Sequence, residues 1–410
     1  MPNYRAPDIY VEEVATGPRP IAAVGTSTAA FLGRAPNPTA FLNKPRAYTN
    51  WSEFLKELGG ERPQSTDLSN AVFGFFQNQG TRCFVVNIGD SQVLGPGLAT
   101  LEAWDEIAIV AAPGFATAVA YQELLTHCEN MKDRVAIFDP PEGEVKPVER
   151  LTKLAVPGEA PAPAPAPAPE GAPATRGRRA RVAEAEAPGE GGLRPPQSEK
   201  GFGAFYFPRI QVLDPLSGHL IYVPPSGHVA GVWARTDTER GVHKAPANAS
   251  ISGAMNVQQA ITRADQEVLN PAGVNCIRSR DNSIKVWGAR TIAAEANEWR
   301  YLNVRRLFNM IEKSIAEGTG WVVFEPNDER LWANIIRDVS AFLRTIWRGG
   351  ALMGRTPEEA FFVKCDRETN PPEEIDQGRV TIQIGIAPVK PAEFIIFRIG
   401  QYSGGVQIEA

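Results

Sequence analysis

Four arginines, Arg330, Arg337, Arg344 and Arg348, stand seven, seven and four residues apart. At about 100° per residue those steps return to nearly the same angle, so on a helix they form one basic stripe. A guanidinium is planar, permanently charged and rich in donors, which suits it to pairing with carboxylates. The chemistry on offer is therefore recognition. The stripe reads either as a solvated face or as a docking surface for an acidic partner.

Residues able to do covalent chemistry are present but not arranged for it. Cys83, Cys128, Cys276 and Cys365 are far apart, with no CxxC and no metal-ligand spacing, and read as buried or reduced thiols. His127, His219, His228 and His243 form no HExxH or other paired motif. Gly25-Thr26-Ser27-Thr28-Ala29 has half of a nucleophile elbow but lacks the second glycine and the strand-to-helix setting. Neither GxGxxG nor GxxxxGK[ST] occurs, so no phosphate cradle is expected. No catalytic residue, metal site or cofactor is expected.

The stripe needs a helix to carry it. Leu331, Trp332, Ile335, Ile336, Val339, Phe342, Leu343, Ile346 and Trp347 share the opposite arc of 328–348 and must face a core. Asn327 or Asp328 can cap the start, and Gly349-Gly350 ends it.

The rest of the chain must build that core. Its 410 residues are 43% hydrophobic, enough for two domains, or for one with long excursions. A net charge of −5 and a pI near 5.6 argue against a general nucleic-acid binder, whose affinity rests on clustered positive charge. The N-terminal residues lack an apolar signal region and no apolar run approaches ~18 residues. Cytoplasmic synthesis without membrane insertion is the expectation.

Residues 1–20 read as an extended arm, with Pro2, Pro7, Pro18 and Pro20 breaking any helix around the strand-like Ile9, Val11 and Val14. From 21 to 241 strands and helices alternate. Strands are expected at Ala22–Leu32, Cys83–Ile88, Ile107–Ala112, Arg134–Phe138, Ala204–Leu213 and His219–Val223. Helices are expected at Trp51–Leu58, Leu68–Gln79, Thr117–Asn130 and Ser226–Arg240. This is an α/β middle domain with a mainly parallel sheet. Its strand ends, at Asn87–Asp90, Pro113-Gly114 and Asp139-Pro140, are where such a sheet would bind a ligand. Residues 142–200, with an Ala-Pro repeat and the cluster Arg176, Arg178, Arg179 and Arg181, read as a disordered insertion in a surface loop. A C-terminal domain of mixed sheet and helices is expected over 242–391, with strands including Trp321–Glu325, Phe361–Cys365 and Arg379–Ala387. Residues 392–410 form a second arm, whose run Phe394–Ile399 would be an aggregation hazard unless added to another chain's sheet.

Several long motifs then carry a resemblance. VHKAPAN at Val242–Asn248, VWGARTI at Val286–Ile292, WRYLNVRRLFNMIEKSI at Trp299–Ile315, WVVFEPND at Trp321–Asp328, LMGRTPEEAFFVKCD at Leu352–Asp366 and APVKPAEFIIFRI at Ala387–Ile399 closely resemble tail sheath proteins of contractile phage tails and injection systems. PDIYVEEV at Pro7–Val14 does so more weakly, and the Ala-Pro insertion is not part of the pattern. The resemblance implies a structural subunit stacked in hexameric rings around an inner tube, in an extended lattice that contracts to drive the tube through an envelope. It implies other sheath subunits, the tube protein, baseplate and terminal cap as partners. It places Arg330, Arg337, Arg344 and Arg348 against the tube. Ile9, Val11, Val14, Phe394, Ile396 and Arg398 would lie in strands shared between subunits. Two other classes stay open: an α/β enzyme acting at the strand ends, and a non-contractile scaffold.

Overall fold

The computed structural model describes residues 20–61, 63–155 and 191–396. The larger body contains β1 (Ala29–Gly33), β2 (Arg46–Tyr48), α1 (Trp51–Leu58), α2 (Asp67–Gln77), β3 (Cys83–Asn87), α3 (Gly95–Ala99), β4 (Ile109–Ala111), α4 (Ala118–Met131), β5 (Val135–Phe138), β6 (Gly203–Phe207), β7 (Ile210–Leu213), β8 (Leu220–Val223), α5 (Ser226–Arg240), β9 (Ala249–Ser250), β10 (Ala254–Val257), α6 (Arg263–Leu269), β11 (Val274–Arg280) and β12 (Ser283–Val286). The smaller one contains α7 (Leu302–Gly318), α8 (Glu329–Arg348), α9 (Pro357–Ala360), β13 (Phe361–Lys364), α10 (Pro372–Asp376) and β14 (Gln383–Ile386). The class is α/β.

The main sheet runs β2-β3-β1-β4-β5-β6-β11-β12-β9. Its six central strands are parallel, and the edge pairings are antiparallel. Alternate residues on each strand point to opposite faces, which splits the interior into two cores. Phe31, Val85, Ile109, Ile137 and Tyr206 pack under α1, α2 and α5. Leu32, Phe84, Val110, Phe138 and Phe205 pack under α3, α4 and α6. With both faces covered, β1, β3, β4, β5 and β6 are buried along their whole length. Helices α2 and α5 lie unusually close. A Cβ at Gly227 would come 2.2 Å from the Cα of Ala71, so only glycine fits there.

Several expectations need correction. The main sheet does not stop at 241: β11 pairs in parallel with β6, and β12 and β9 follow it, so residues up to about 292 belong to the larger body. The irregular connection after Gly241 suggested a boundary, but strand pairing crosses it. The loop read as disordered over 142–200 is ordered at both ends. Val145 and Leu151 are buried, a 3-10 turn spans Val148–Thr152, and Leu154 and Ala155 bridge Arg194 and Gly192. Residues 156–190 lie outside the described residues.

The run Ala204–Leu213 is two strands, because Pro208 has no N–H to donate and the chain turns there into a separate sheet, β10-β7-β8. Of Ala22–Leu32 only Ala29–Leu32 is strand, in β1, since the preceding residues reach across to α5 and α7. Arg379–Ala387 shrinks to β14. Trp321–Glu325 is no strand: a 3-10 turn spans Gly320–Val322, and Phe324 takes a φ of 70° with its side chain fully exposed. Its residues suit a pleated surface, but β-propensity records packing against a neighbour, and no strand lies alongside among the described residues.

Candidate assembly surface

Helix α8 forms where its signals place it. Asp328 caps it by accepting from the Leu331 N–H at 2.8 Å, with Glu329 in the first turn and Arg348 in the last, as the helix dipole favours. Leu331, Trp332, Ile335, Val339, Phe342 and Leu343 are buried against a third core shared with α7 and β13. Its two indoles act as pegs: Trp332 Nε1 donates to Asn327 Oδ1 at 2.8 Å and Trp347 Nε1 to the Gly354 carbonyl at 3.0 Å.

The four stripe arginines are all exposed. Arg337 Nε donates to Asp338 Oδ1 at 3.0 Å, and Asp338 is itself buried. Among the described residues no carboxylate lies within ion-pair reach of Arg330, Arg344 or Arg348. The surface thus offers three uncompensated guanidinium groups and one partly satisfied. Asp338 was not singled out in the sequence, since an acid on the buried arc breaks the pattern; its place beside Arg337 was the available signal.

Beside α8, the turn after β13 leaves an open groove of about 480 Å³, lined by Trp332, Ala333, Ile336 and Cys365 together with the charged Glu329, Asp366, Arg367 and Glu368. The loop before α8 and strand β13 also leave apolar side chains in solvent, Phe324 and Phe362 among them. Phe394 and Ile396 are exposed with Ile395, at 72–79%, and among the described residues they pair with no strand. Ile9, Val11, Val14 and Arg398 lie outside the described residues.

The smaller body is fastened to the larger through α7. Asp237, on α5, takes both Arg306 nitrogens, Nη1 at 2.9 Å and Nη2 at 2.5 Å, and accepts from Thr26 Oγ1 at 2.6 Å. Both side chains are nearly buried, and the guanidinium lies 4.7 Å over the Trp233 ring. Lys313 reaches Asp133 at 2.9 Å.

The strand ends are closed by structural bonding. The Asn87 side chain accepts from the Ala35 and Gly89 N–H groups and donates to the Asn37 and Ala40 carbonyls. Asp139 accepts from Ser226 N at 2.8 Å and Oγ at 2.6 Å, while burial pushes its carboxyl up to about 7. A Cβ at Gly114 would meet the Asp67 carboxylate at 2.1 Å, so that end too is filled. Thr26, in the half-elbow, is engaged by Asp237. Burial lowers His127 and His228 to about 4, and neither ring nitrogen of His228 has a partner. The four cysteines are buried and unpaired, and burial raises each thiol, Cys276 to about 12. Among the described residues no cluster of three or more His, Cys, Asp or Glu could hold a metal, and no helix is long and apolar enough to cross a membrane.

Known proteins match this arrangement. Residues 200–292 match the phage tail sheath protein central domain and 294–401 the phage tail sheath C-terminal domain; the division falls where the main sheet ends. The chain is 28% identical over 202 residues to a putative prophage major tail sheath protein of Pseudomonas aeruginosa (strain UCBPP-PA14), covering 47% of this chain and 49% of that one. It is 29% identical over 178 residues to the tail sheath protein of Vibrio phage KVP40, covering 42% and 26%. The chain therefore spans a quarter to a half of the length of these curated relatives. Solved sheath structures align throughout. The PVC sheath complex of an extracellular contractile injection system, in its contracted state, gives a TM-score of 0.75 at 25% identity, covering 98% of this chain and 99% of that one. The contracted helical sheath of the anti-feeding prophage gives 0.72 at 28%, covering 97% and 100%. In its matched domains, its relatives and its end-to-end fold, the chain is similar to phage tail sheath proteins.

Proposed function

We propose that this chain is the structural subunit of a contractile sheath, which polymerises around an inner tube in an extended state and contracts to drive the tube through a target envelope. The observation that carries this is the alignment of nearly the whole chain with subunits of two contracted injection-system sheaths. The unpartnered apolar side chains of the smaller body support it, because they suit burial against neighbouring copies. Its partners are other copies in stacked hexameric rings, the tube protein, the baseplate and a terminal cap. It is made in the cytoplasm and enters a phage tail or tail-like particle. Contraction draws on the free-energy difference between two packings, with no bound nucleotide and no catalysis.

Arg330, Arg337, Arg344 and Arg348 grip carboxylates on the tube. Each exposed pair contributes only about 0.2–1 kcal/mol, so repetition makes the hold firm while each contact still breaks in turn. The purified protein should form hollow striated tubes by electron microscopy; a dispersed monomer under all assembly conditions would sink the sheath reading. Arg330→Glu with Arg344→Glu, two of the three without internal partners, should leave the fold intact yet give empty or prematurely contracted sheaths. High salt should weaken the parent's grip in the same direction. Tube-filled extended particles from the double variant would reduce the stripe to a solvated face.

A further inference from the structure

The chain's last described stretch is held by a single side chain. Past Val389, whose N–H donates to the Ala351 carbonyl at 3.2 Å and whose own carbonyl accepts from Asn303, no backbone hydrogen bond occurs among the described residues. Glu393 then drops into a socket. Arg290 Nε donates to Oε1 at 2.9 Å and Nη2 to Oε2 at 2.8 Å, a two-pronged charge-assisted pair. Asn270 Nδ2 donates to Oε1 at 2.7 Å and Tyr301 Oη to Oε2 at 3.3 Å. Burial pushes this carboxyl up, but the bonds from Arg290 and Asn270 outweigh it and hold it below its usual range. Immediately afterwards Phe394, Ile395 and Ile396 stand in solvent.

The socket belongs to the larger body. Arg290 is nearly buried, and its backbone is locked to Asn275 of β11: its N–H donates to Asn275 Oδ1 at 2.7 Å and its carbonyl accepts from Asn275 Nδ2 at 2.8 Å. Arg290 Nη1 also donates to the Asn270 carbonyl at 3.1 Å. So the C-terminal segment crosses the smaller body and is pinned to the central sheet at the point where it departs.

We propose that Glu393 is a positioning residue whose socket on Arg290, Asn270 and Tyr301 fixes where and in which direction Phe394–Ile396 leave the subunit for a second copy of this chain. The inference rests on the sheath reading and adds a role to it. Without the socket the last fixed point is Val389, and the free tether lengthens by four residues, about 13 Å of extended chain. A longer tether dilutes the apolar segment around its target and lowers its effective concentration there. It also severs a direct polar path from that segment into the main sheet, so a pull on the segment would load Val389 and its contacts to Asn303 and Ala351 instead.

The test compares Glu393→Ala with the parent in two measurements. A spin label on Ile396→Cys reports segment mobility in the monomer, and sedimentation with electron microscopy reports the concentration at which sheaths form. The expected result is a mobile label and at least a tenfold rise in the assembly concentration. Asn270→Asp, which sets a second carboxylate against Glu393 from outside the segment, should reproduce both effects and covers the case in which Glu393→Ala misfolds. Parental mobility or a parental assembly concentration in a folded variant overturns the proposal. If the parent itself builds no sheath, the sheath reading fails, while the monomer label still decides whether the socket holds the segment.

Discussion

The two bodies of this molecule are finished to different degrees. In the larger, five strands of the main sheet are buried from end to end between helical layers. In the smaller, β13 and β14 have no fully buried residue, and Phe362 on β13 is 58% exposed. A two-stranded ladder is marginal by itself in water. The difference teaches that the larger body closes its own core, while the smaller keeps a sheet and helix surface to be completed from outside. The α7 clamp and the Glu393 socket tie the second body to the first, the clamp with both partners nearly buried.

Cutting that clamp should have the largest effect. Asp237→Ala would leave Arg306 buried without its carboxylate, costing about 3–5 kcal/mol. Denaturant unfolding followed at the α8 tryptophans should show the smaller body melting first; one unshifted transition would mean that the clamp does not couple the bodies. The larger body should carry its own pH signature. The folded Asp139 carboxyl near 7 lies above its ordinary ~3.9, so its contribution is fully present below about pH 4 and lost as pH rises through 7. His127 and His228, near 4, contribute in the opposite sense, with stability lost as pH falls from about 6.5 towards 4. Between pH 6.5 and 7.5 the folded Asp139 loses its proton while the two histidines, ordinarily near 6.5, lose theirs in the unfolded chain, so the two contributions oppose each other. Asp139→Asn removes the opposing contribution, so stability should rise more steeply with pH than in the parent, by at most about 1.4 kcal/mol per unit, in melts across the window; an unchanged slope would mean that Asp139 does not titrate there.

Removing residues 165–181 halves the 156–190 connection and should change unfolding free energy by only about 0.6 kcal/mol, with sheath formation intact. A large loss in chemical denaturation would show that the stretch packs on the body. The smallest effect on the isolated subunit belongs to Phe362→Ser, within about 0.5 kcal/mol for an exposed site. If the smaller body is completed by neighbours, the same variant should impair assembly in a sedimentation assay. Parental assembly would break the contrast between the two bodies.

What could be read in the sequence follows the range of its signals. Helices α1 and α5 begin and end at the expected residues, and α8 lies within one, because caps, glycines and apolar spacing act over a few positions. The β6–β7 break was visible as Pro208, but the alternating apolar run around it masked the change of sheet. Sheet extent was not legible, since the β6–β11 pairing joins segments about 70 residues apart. Nor were Arg306 with Asp237 or Arg290 with Glu393, whose partners are 69 and 103 residues distant. The stripe's four residues could be chosen from spacing alone; the Asp338 contact that half-occupies Arg337 needed the fold.

The paired bridges at Leu154–Arg194 and Ala155–Gly192 have a use outside the native particle. They hold the two chain segments that flank 156–190 at strand spacing, about 5 Å apart. A passenger domain whose own termini lie side by side could be spliced between them with neither body asked to move. Every copy in an assembled lattice would then present one passenger at the same orientation, a regular array whose density is set by the lattice and whose cargo is free to choose.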